Sequence, residues 1–322
     1  MSTLTGPSAL TGPSATATLA IIGGSGLYSM PGLAETKEYD LDTPFGKPSA
    51  PIVVGTLEEQ KVAFLARHGL GHQISPSEVN YRANIYALKS LGVERVIGIN
   101  ACGSLREDYA PGHIVIPDQI YDNTHRRARS FFGEGLVAHI SVAEPFCRDL
   151  SERLADAVLA AGATTHRGGA FIIIEGPRFS TKAESNTYRA WGMSIVGMTA
   201  SPEAFLAREA EMCYAVMAHV TDYDVWHTSE SPVTVEMVIE ILKRNTRTAQ
   251  EAVRKLAASL KPALSAVEGP ALQSPRRGSA VEGVTRECEC GSALSSALIT
   301  DPSHIPAQTR EKLKLLIGKY LK

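Results

Sequence analysis

The sequence predicts a single-domain α/β fold, a central β-sheet flanked by helices, on three observations. Short apolar runs bounded by Gly or Pro recur along the chain. Several are continuous rather than alternating, as in strands buried on both faces. Amphipathic stretches of helical length separate many of them, and strands interleaved with helices build an α/β sheet. With 322 residues and 44% hydrophobic content, the chain can bury its core in one large domain.

The elements follow in order. Residues 1–17 carry Leu-Thr-Gly-Pro-Ser-Ala twice in tandem, over 4–15. Gly, Pro and Ser without a core-forming pattern predict a disordered tail. The domain proper spans 18–260. Its strand-like runs lie at 19–22, 51–54, 62–66, 96–99, 114–116, 171–174, 194–196 and 214–220. Helical patterns fall at 78–91, 144–161, 182–191, 202–211 and 233–256. In the last, Val235, Val238, Ile239, Leu242 and Thr246 share one face. Residues 261–286 are of low complexity and repeat Ser-Ala-Val-Glu-Gly at 265–269 and 279–283. These repeats are far below the roughly 20 residues of a solenoid unit, so an inserted mobile loop is expected. Residues 287–322 read as a C-terminal helical extension of the same domain, with an amphipathic helix at 307–320.

Composition excludes several classes. A net charge of −2 gives no general attraction to nucleic acid or anionic lipid. The longest apolar runs are strand-sized, and the N-terminus lacks the basic and apolar regions of a secretory signal. A cytoplasmic protein is therefore expected. Five cysteines (Cys102, Cys147, Cys213, Cys288 and Cys290) are no disulfide framework for a chain this long. Cys288-Glu289-Cys290 reads as inert surface thiols or a local redox pair, and two ligands are too few for a metal.

Four stretches carry candidate chemistry. Ile21-Ile22-Gly23-Gly24-Ser25-Gly26 runs a strand into a glycine-rich turn, where backbone N–H groups converge on an anion and a hydroxyl adds a donor. A plain structural turn fits it as well. Ala66-Arg67-His68-Gly69 ends a strand with a planar fork of donors suited to phosphate, with His72 four residues on. A solvated, salt-bridged Arg is the alternative. Asn100-Ala101-Cys102-Gly103-Ser104-Leu105 puts small and polar residues directly after a buried strand, permitting close approach of a ligand or merely a tight strand–loop transition with a buried Cys. Thr221-Asp222-Tyr223-Asp224 sets two acids at a strand end, awkward for a core and natural for a site. A carboxyl raised by burial or by a like charge can act as a general acid near neutrality. A solvated strand end is the alternative, and a metal site lacks ligands at recognisable spacing.

Together these stretches resemble the methylthioadenosine phosphorylases of the trimeric purine nucleoside phosphorylase superfamily. The resemblance runs from about Ile21 to Leu256. It also includes Asp42-Thr43-Pro44-Phe45-Gly46-Lys47-Pro48, Val79-Asn80-Tyr81-Arg82-Ala83-Asn84-Ile85, Ala143-Glu144-Pro145-Phe146-Cys147, Glu175-Gly176-Pro177-Arg178-Phe179-Ser180 and Met198-Thr199. It implies a nucleoside phosphorylase-like fold with a mixed sheet, and a homotrimer or dimer of trimers. It implies phosphate binding by Ser25, Arg67, His68, Asn100, Ala101 and Thr199, and ribose binding by Met198. Phe179, Ser180, Asp222 and Asp224 would line the purine pocket, with the two acids as the catalytic pair. His72, His139, Val235, Val238 and Ile239 would receive the 5′ substituent.

The implied reaction attacks C1′ of the ribose with inorganic phosphate, a co-substrate, while Asp222 supplies a proton at N7. Positioning and charge stabilisation carry it, with no metal or organic cofactor. Relatives acting on 6-oxopurines carry Glu where Ser180 stands and Asn in place of Asp222, so this pair favours adenine. Methylthioinosine or broad purine nucleoside phosphorolysis is the alternative. A dinucleotide-binding oxidoreductase, suggested by Gly23 to Gly26 and Asp42, lacks the third Gly of its fingerprint, since Ser29 stands there.

Overall fold

A computed structural model describes residues 16–24, 30–227, 235–260 and 288–321. The strands are β1 (Leu19–Gly23), β2 (Ala34–Tyr39), β3 (Ile52–Leu57), β4 (Gln60–Ala66), β5 (Arg95–Ser104), β6 (Ile114–Ile116), β7 (Gln119–Asn123), β8 (Thr165–Arg167), β9 (Ala170–Ile174), β10 (Ile195–Gly197) and β11 (Cys213–Asp222). The helices are α1 (Tyr81–Ser90), α2 (Arg148–Ala160), α3 (Lys182–Ala190), α4 (Glu203–Glu209), α5 (Val235–Ser259) and α6 (Ala307–Ile317). The strands form one mixed sheet, with the path β2-β3-β4-β1-β5-β10-β9-β7 and a branch from β5 through β11 and β6 to β8.

The continuous apolar runs are explained by two cores, one on each face. Along β11 all ten residues are buried. Tyr214, Val216, Ala218 and Val220 join one cluster with α1, α4 and α6. Cys213, Ala215 and Met217 join the other, with α2 and α5. In β1, Ala20 and Ile22 face the first cluster while Leu19 and Ile21 face the second. Side chains alternate across a strand, so a strand between two helix layers must be apolar at every position.

Three strands had no apolar signal. β2, Ala-Glu-Thr-Lys-Glu-Tyr, is almost wholly exposed, and β7 and β8 are polar. All three end a path of the sheet. Edge strands bury little and carry charge that discourages further pairing, which removes the pattern a sequence reading relies on. At the N-terminus, the amides of Thr16 and Ala17 donate to the Leu91 carbonyl, so docking begins just before residue 18. The tandem-repeat segment 4–15 and the low-complexity segment 261–286 lie outside the described residues. The 288–321 segment packs into the first core through Leu294, Ala297, Ile305, Leu313, Leu316 and Ile317.

β5 is the fork that builds the site. Its first half pairs in parallel with β1 on one side and β11 on the other. Its end, Gly103–Ser104, pairs antiparallel with β10. The strand therefore runs ten residues, and Asn100 to Ser104 lie on it rather than in a loop after it. The C-terminal ends of β1, β4, β5 and β11 converge where the sheet divides, the usual position for a ligand crevice in an α/β sheet.

Candidate functional site

One end of the crevice is built around a buried guanidinium. Arg67 follows β4, its amide donating to the Gly23 carbonyl at the end of β1 at 3.1 Å. It is only 2% exposed. Its Nε and Nη2 donate to the two carboxylate oxygens of Glu203, at 2.5 and 3.0 Å, and Nη1 and Nη2 reach the Ile99 and Ile22 carbonyls. Burial opposes the charge, but Glu203 outweighs it and holds the guanidinium above its ordinary range. Glu203 also accepts from the Tyr214 hydroxyl at 2.8 Å. Four of the five N–H bonds of Arg67 thus go to named protein partners, which fixes the group rigidly and leaves one Nη1–H.

Around it stand Asn100 and Thr199, joined at 2.5 Å by an amide N–H donating to the Thr199 hydroxyl. Both are buried, and Asn100 Oδ1 and the Ser201 hydroxyl lack a hydrogen-bond partner. His68 donates from Nδ1 to the Ile74 carbonyl at 2.9 Å and stacks on His72, with ring centroids 4.4 Å apart. Burial, then the charge of Arg67, lowers its pKa to about 4, so the ring is neutral at physiological pH. Ala101 lies beside Asn100 on β5. Arg67, His68, Asn100, Ala101 and Thr199 are thus brought together. Ser25 lies outside the described residues.

The other end lies on β11, beside the last residues of β5. Gly103 pairs with Asp222, and a Cβ at Gly103 would stand 2.9 Å from Asp222 Oδ1 and 3.1 Å from the Asp224 Cβ. Only glycine lets β5 approach the two acids so closely. Asp222 accepts from the Thr221 hydroxyl at 2.6 Å and the Asp224 amide at 2.8 Å. Burial nevertheless pushes its carboxyl up to about 6, with Asp224 adding to the rise. Asp224 sits at φ +52°, a left-handed conformation that aspartate tolerates, and its own carboxyl is raised by burial. The hydroxyls of Ser180 and Ser185 stand beside it, and their hydrogen bonds to the carboxylate temper the rise. Ser180 is held by the start of α3: the Thr181 hydroxyl accepts from the Glu184 amide and the Glu184 carboxylate from the Thr181 amide. Phe179 beside it is 40% exposed.

Sequence reasoning assigned no role to the residues that hold these two ends. Arg127, in a loop without periodicity, donates from Nη1 to the Met198 and Ser201 carbonyls at 2.7 and 2.6 Å. Its Nη2 and Nε reach the Glu175 carbonyl and carboxylate. Glu175 also accepts from the His125 and Arg126 amides and the Ser77 hydroxyl. Burial raises this carboxyl, but those donors win and hold it at about 2. Met198 packs its sulfur where a Cβ of Gly176 would come within 2.6 Å, with Gly176 at φ +67°. Arg127, Glu175 and Gly176 therefore set the position of Met198 and Thr199. The charge type of Arg127 and Glu175 was visible in the sequence, but nothing marked them as partners.

The residues expected at the 5′ end are less gathered. His72 is exposed beside His68. Val235 and Ile239 are 56% and 45% exposed at the start of α5, and the Val238 side chain lies outside the described residues. His139 is exposed in a separate loop, its amide donating to the Ala297 carbonyl, and no described contact joins it to the crevice. One expectation is corrected outright. Cys290 is buried, not a surface thiol, and Cys147, Cys213, Cys288 and Cys290 place their sulfurs within 4.8 Å of one another. The fold brings in two further thiols, Cys147 and Cys213, that sequence distance hid.

Comparison with known proteins identifies the family. The profile of the phosphorylase superfamily matches residues 18–258. The S-methyl-5′-thioadenosine phosphorylase of Geobacter sulfurreducens is 50% identical over 306 residues, covering 94% of this chain and 99% of that protein. The one from Koribacter versatilis is 49% identical over 304 residues, covering 94% and 97%. Among solved structures, a methylthioadenosine phosphorylase from an antarctic soil metagenomic library superposes with a TM-score of 0.84 at 41% identity, covering 94% and 99%. The Schistosoma mansoni enzyme in complex with adenine gives 0.73 at 39%, covering 76% of this chain and 91% of that one.

Proposed function

The chain belongs to the phosphorylase superfamily, and from that premise we propose that it converts 5′-methylthioadenosine and phosphate to adenine and 5-methylthioribose 1-phosphate. The reading makes it a pentosyltransferase of purine and methionine salvage with no cofactor, acting as a homotrimer or dimer of trimers in the cytoplasm. No helix among the described residues is long and apolar enough to cross a membrane. The observation that carries the reading is the pairing of a buried cationic end with a raised carboxyl pair along one strand. Asn100 and Gly103 are three residues apart on β5, roughly 10 Å. That span accommodates a ribose between an anion and a purine.

Phosphate at the Arg67 end meets the remaining guanidinium N–H, the Thr199 hydroxyl and the strand-end backbone. Held there, it faces C1′ from below the sugar, so attack becomes intramolecular in effect and its charge stabilises the oxocarbenium-like transition state. As the C1′–N9 bond breaks, electron density moves into the purine, and the Asp222 carboxyl, poised at about 6, hands a proton to N7. Adenine then leaves neutral. Ser180 and Asp224, which lie within hydrogen-bond reach of each other, complete the base pocket. An acceptor there suits an exocyclic amine, and an unsatisfied buried group costs about 1–3 kcal/mol against a 6-oxo base.

Initial rates on methylthioadenosine, methylthioinosine, adenosine and inosine, each with and without phosphate, test this. The expected order places methylthioadenosine first, with strict phosphate dependence. Purine release unchanged without phosphate would refute the reading, and methylthioinosine leading would reassign the base.

A further inference from the structure

Away from the crevice, in the core between the sheet and α2, four cysteines from three distant parts of the chain meet. Cys147 stands at the N-terminal end of α2, its amide donating to the Tyr214 carbonyl at 2.9 Å. Cys213 opens β11, its amide donating to the Glu94 carbonyl at 2.9 Å. Cys288 and Cys290 lead into a short 3₁₀ turn, Cys290–Ser292. The first two are fixed by the sheet and by a helix end. The other two bring the C-terminal segment onto them.

The four sulfurs all lie within 4.8 Å of one another, and those of Cys213 and Cys288 are 3.4 Å apart. A tetrahedral thiolate site with metal–sulfur bonds of about 2.3 Å has sulfur–sulfur edges of about 3.8 Å, so the cluster already has the dimensions of such a site. Arg208 adds an independent sign of charge, its Nη1 standing 3.2 Å from the Cys290 sulfur. Neutral thiols in an apolar core need no cation, whereas a metal tetrathiolate carries net negative charge. The surrounding shell is apolar: Cys147, Cys213 and Cys290 belong to the core cluster that includes Leu150, Ala215 and Leu256.

We propose that Cys147, Cys213, Cys288 and Cys290 form a tetrahedral site for a structural zinc ion. Four soft sulfur donors closed around one point select a thiophilic d¹⁰ cation over magnesium or calcium. With all four positions filled by protein there is no open site for chemistry. The ion is a fastener. Binding releases to solvent the protons of those cysteines that are still thiols and moves no electrons. Its effect is to tie the start of the 288–321 segment to the first residue of β11 and the N-terminus of α2. That segment also supports the loop carrying His139, through the Ala138–Leu298 bridge.

The test uses the full chain purified under reducing conditions without chelator. Elemental analysis is expected to give about one zinc per chain. After removal of metal by a chelator, cobalt(II) alone is expected to restore visible d–d bands of tetrahedral intensity and a sulfur-to-cobalt charge-transfer band. Cys288→Ser and Cys290→Ser are each expected to weaken zinc binding at least tenfold in a chelator competition. Cys102→Ser, buried elsewhere, is expected to leave it unchanged. Reduced protein that retains less than about a tenth of an equivalent of zinc and gives no cobalt spectrum would overturn the proposal. So would isolation without metal at a mass about 4 Da low, since that means two disulfides instead.

Discussion

Asp222 sits at about 6 although it accepts two hydrogen bonds that favour its charged form, so burial beside a second acid outweighs both. The sign follows: the carboxyl keeps its proton below that pH and loses it above. The acid-dependent part of kcat/KM for methylthioadenosine is therefore present below about 6 and lost as pH rises through it, approaching about tenfold per pH unit when no other group limits. Asp222→Asn is expected to remove that limb and to lower turnover on adenine nucleosides far more than on 6-oxo analogues. An unchanged pH profile in the variant would strip Asp222 of its proton role. Asp222 and Arg67 were legible in the sequence because charged residues at the ends of apolar strands have no place in a core. Glu203 was not, because an acid in the first turn of a helix is ordinary. Yet the alternative set against Arg67, a salt bridge, is also present, buried rather than solvated. Glu203→Gln leaves the guanidinium uncompensated and is expected to cost about 3–5 kcal/mol in denaturant melts, with a raised KM for phosphate. Replacing both, as Arg67→Met with Glu203→Leu, is expected to restore stability but not phosphate affinity. Recovery of both would make the pair purely structural.

At the scale of elements, the strands between two helix layers were legible to within a few residues, because burial on both faces writes itself as an unbroken apolar run. β5 is the instructive exception. Its run stops at Ile99 while the strand continues to Ser104, because beyond Ile99 it serves the crevice and needs Asn, Gly and Ser instead. The strand signal is lost where the proposed site lies. The segment Met198–Ser201 shows a second limit, since its position depends on Arg127 and Glu175, joined only in the fold. Glu175 is depressed to about 2, so its contribution to stability is full above the ordinary carboxylate range near 4 and disappears as pH falls through about 2. Glu175→Gln is expected to unfold more readily than the parent at neutral pH, with the difference closing towards pH 2. Because Met198 and Thr199 hang on the same strap, KM for nucleoside and for phosphate are both expected to rise. A stability gap independent of pH would show that the carboxylate's charge is not what holds it.

At the scale of the whole molecule, the domain is closed by parts far apart in the chain. Leu260, the last described residue after α5, and Cys288, the next described residue, both pack with the same core cluster. The stretch between them, 261–287, carries the two Ser-Ala-Val-Glu-Gly repeats. Deleting 265–283 removes 19 of those 27 residues and leaves 8 to bridge two points on one core. Eight residues reach at most about 26–29 Å when extended. For a stretch that serves only to connect, shortening from 27 residues to 8 lowers the closure cost by about 1 kcal/mol. If the segment only connects, the shortened protein is expected to match the parent in thermal stability or exceed it slightly. Its kcat on methylthioadenosine and its sedimentation coefficient, corrected for the lost mass, are expected to be unchanged. Dissociation to monomers would show that the segment builds the subunit interface. Retained assembly with a raised KM for nucleoside alone would show that it reaches the 5′ end of the crevice, where Val235 and Ile239 are exposed.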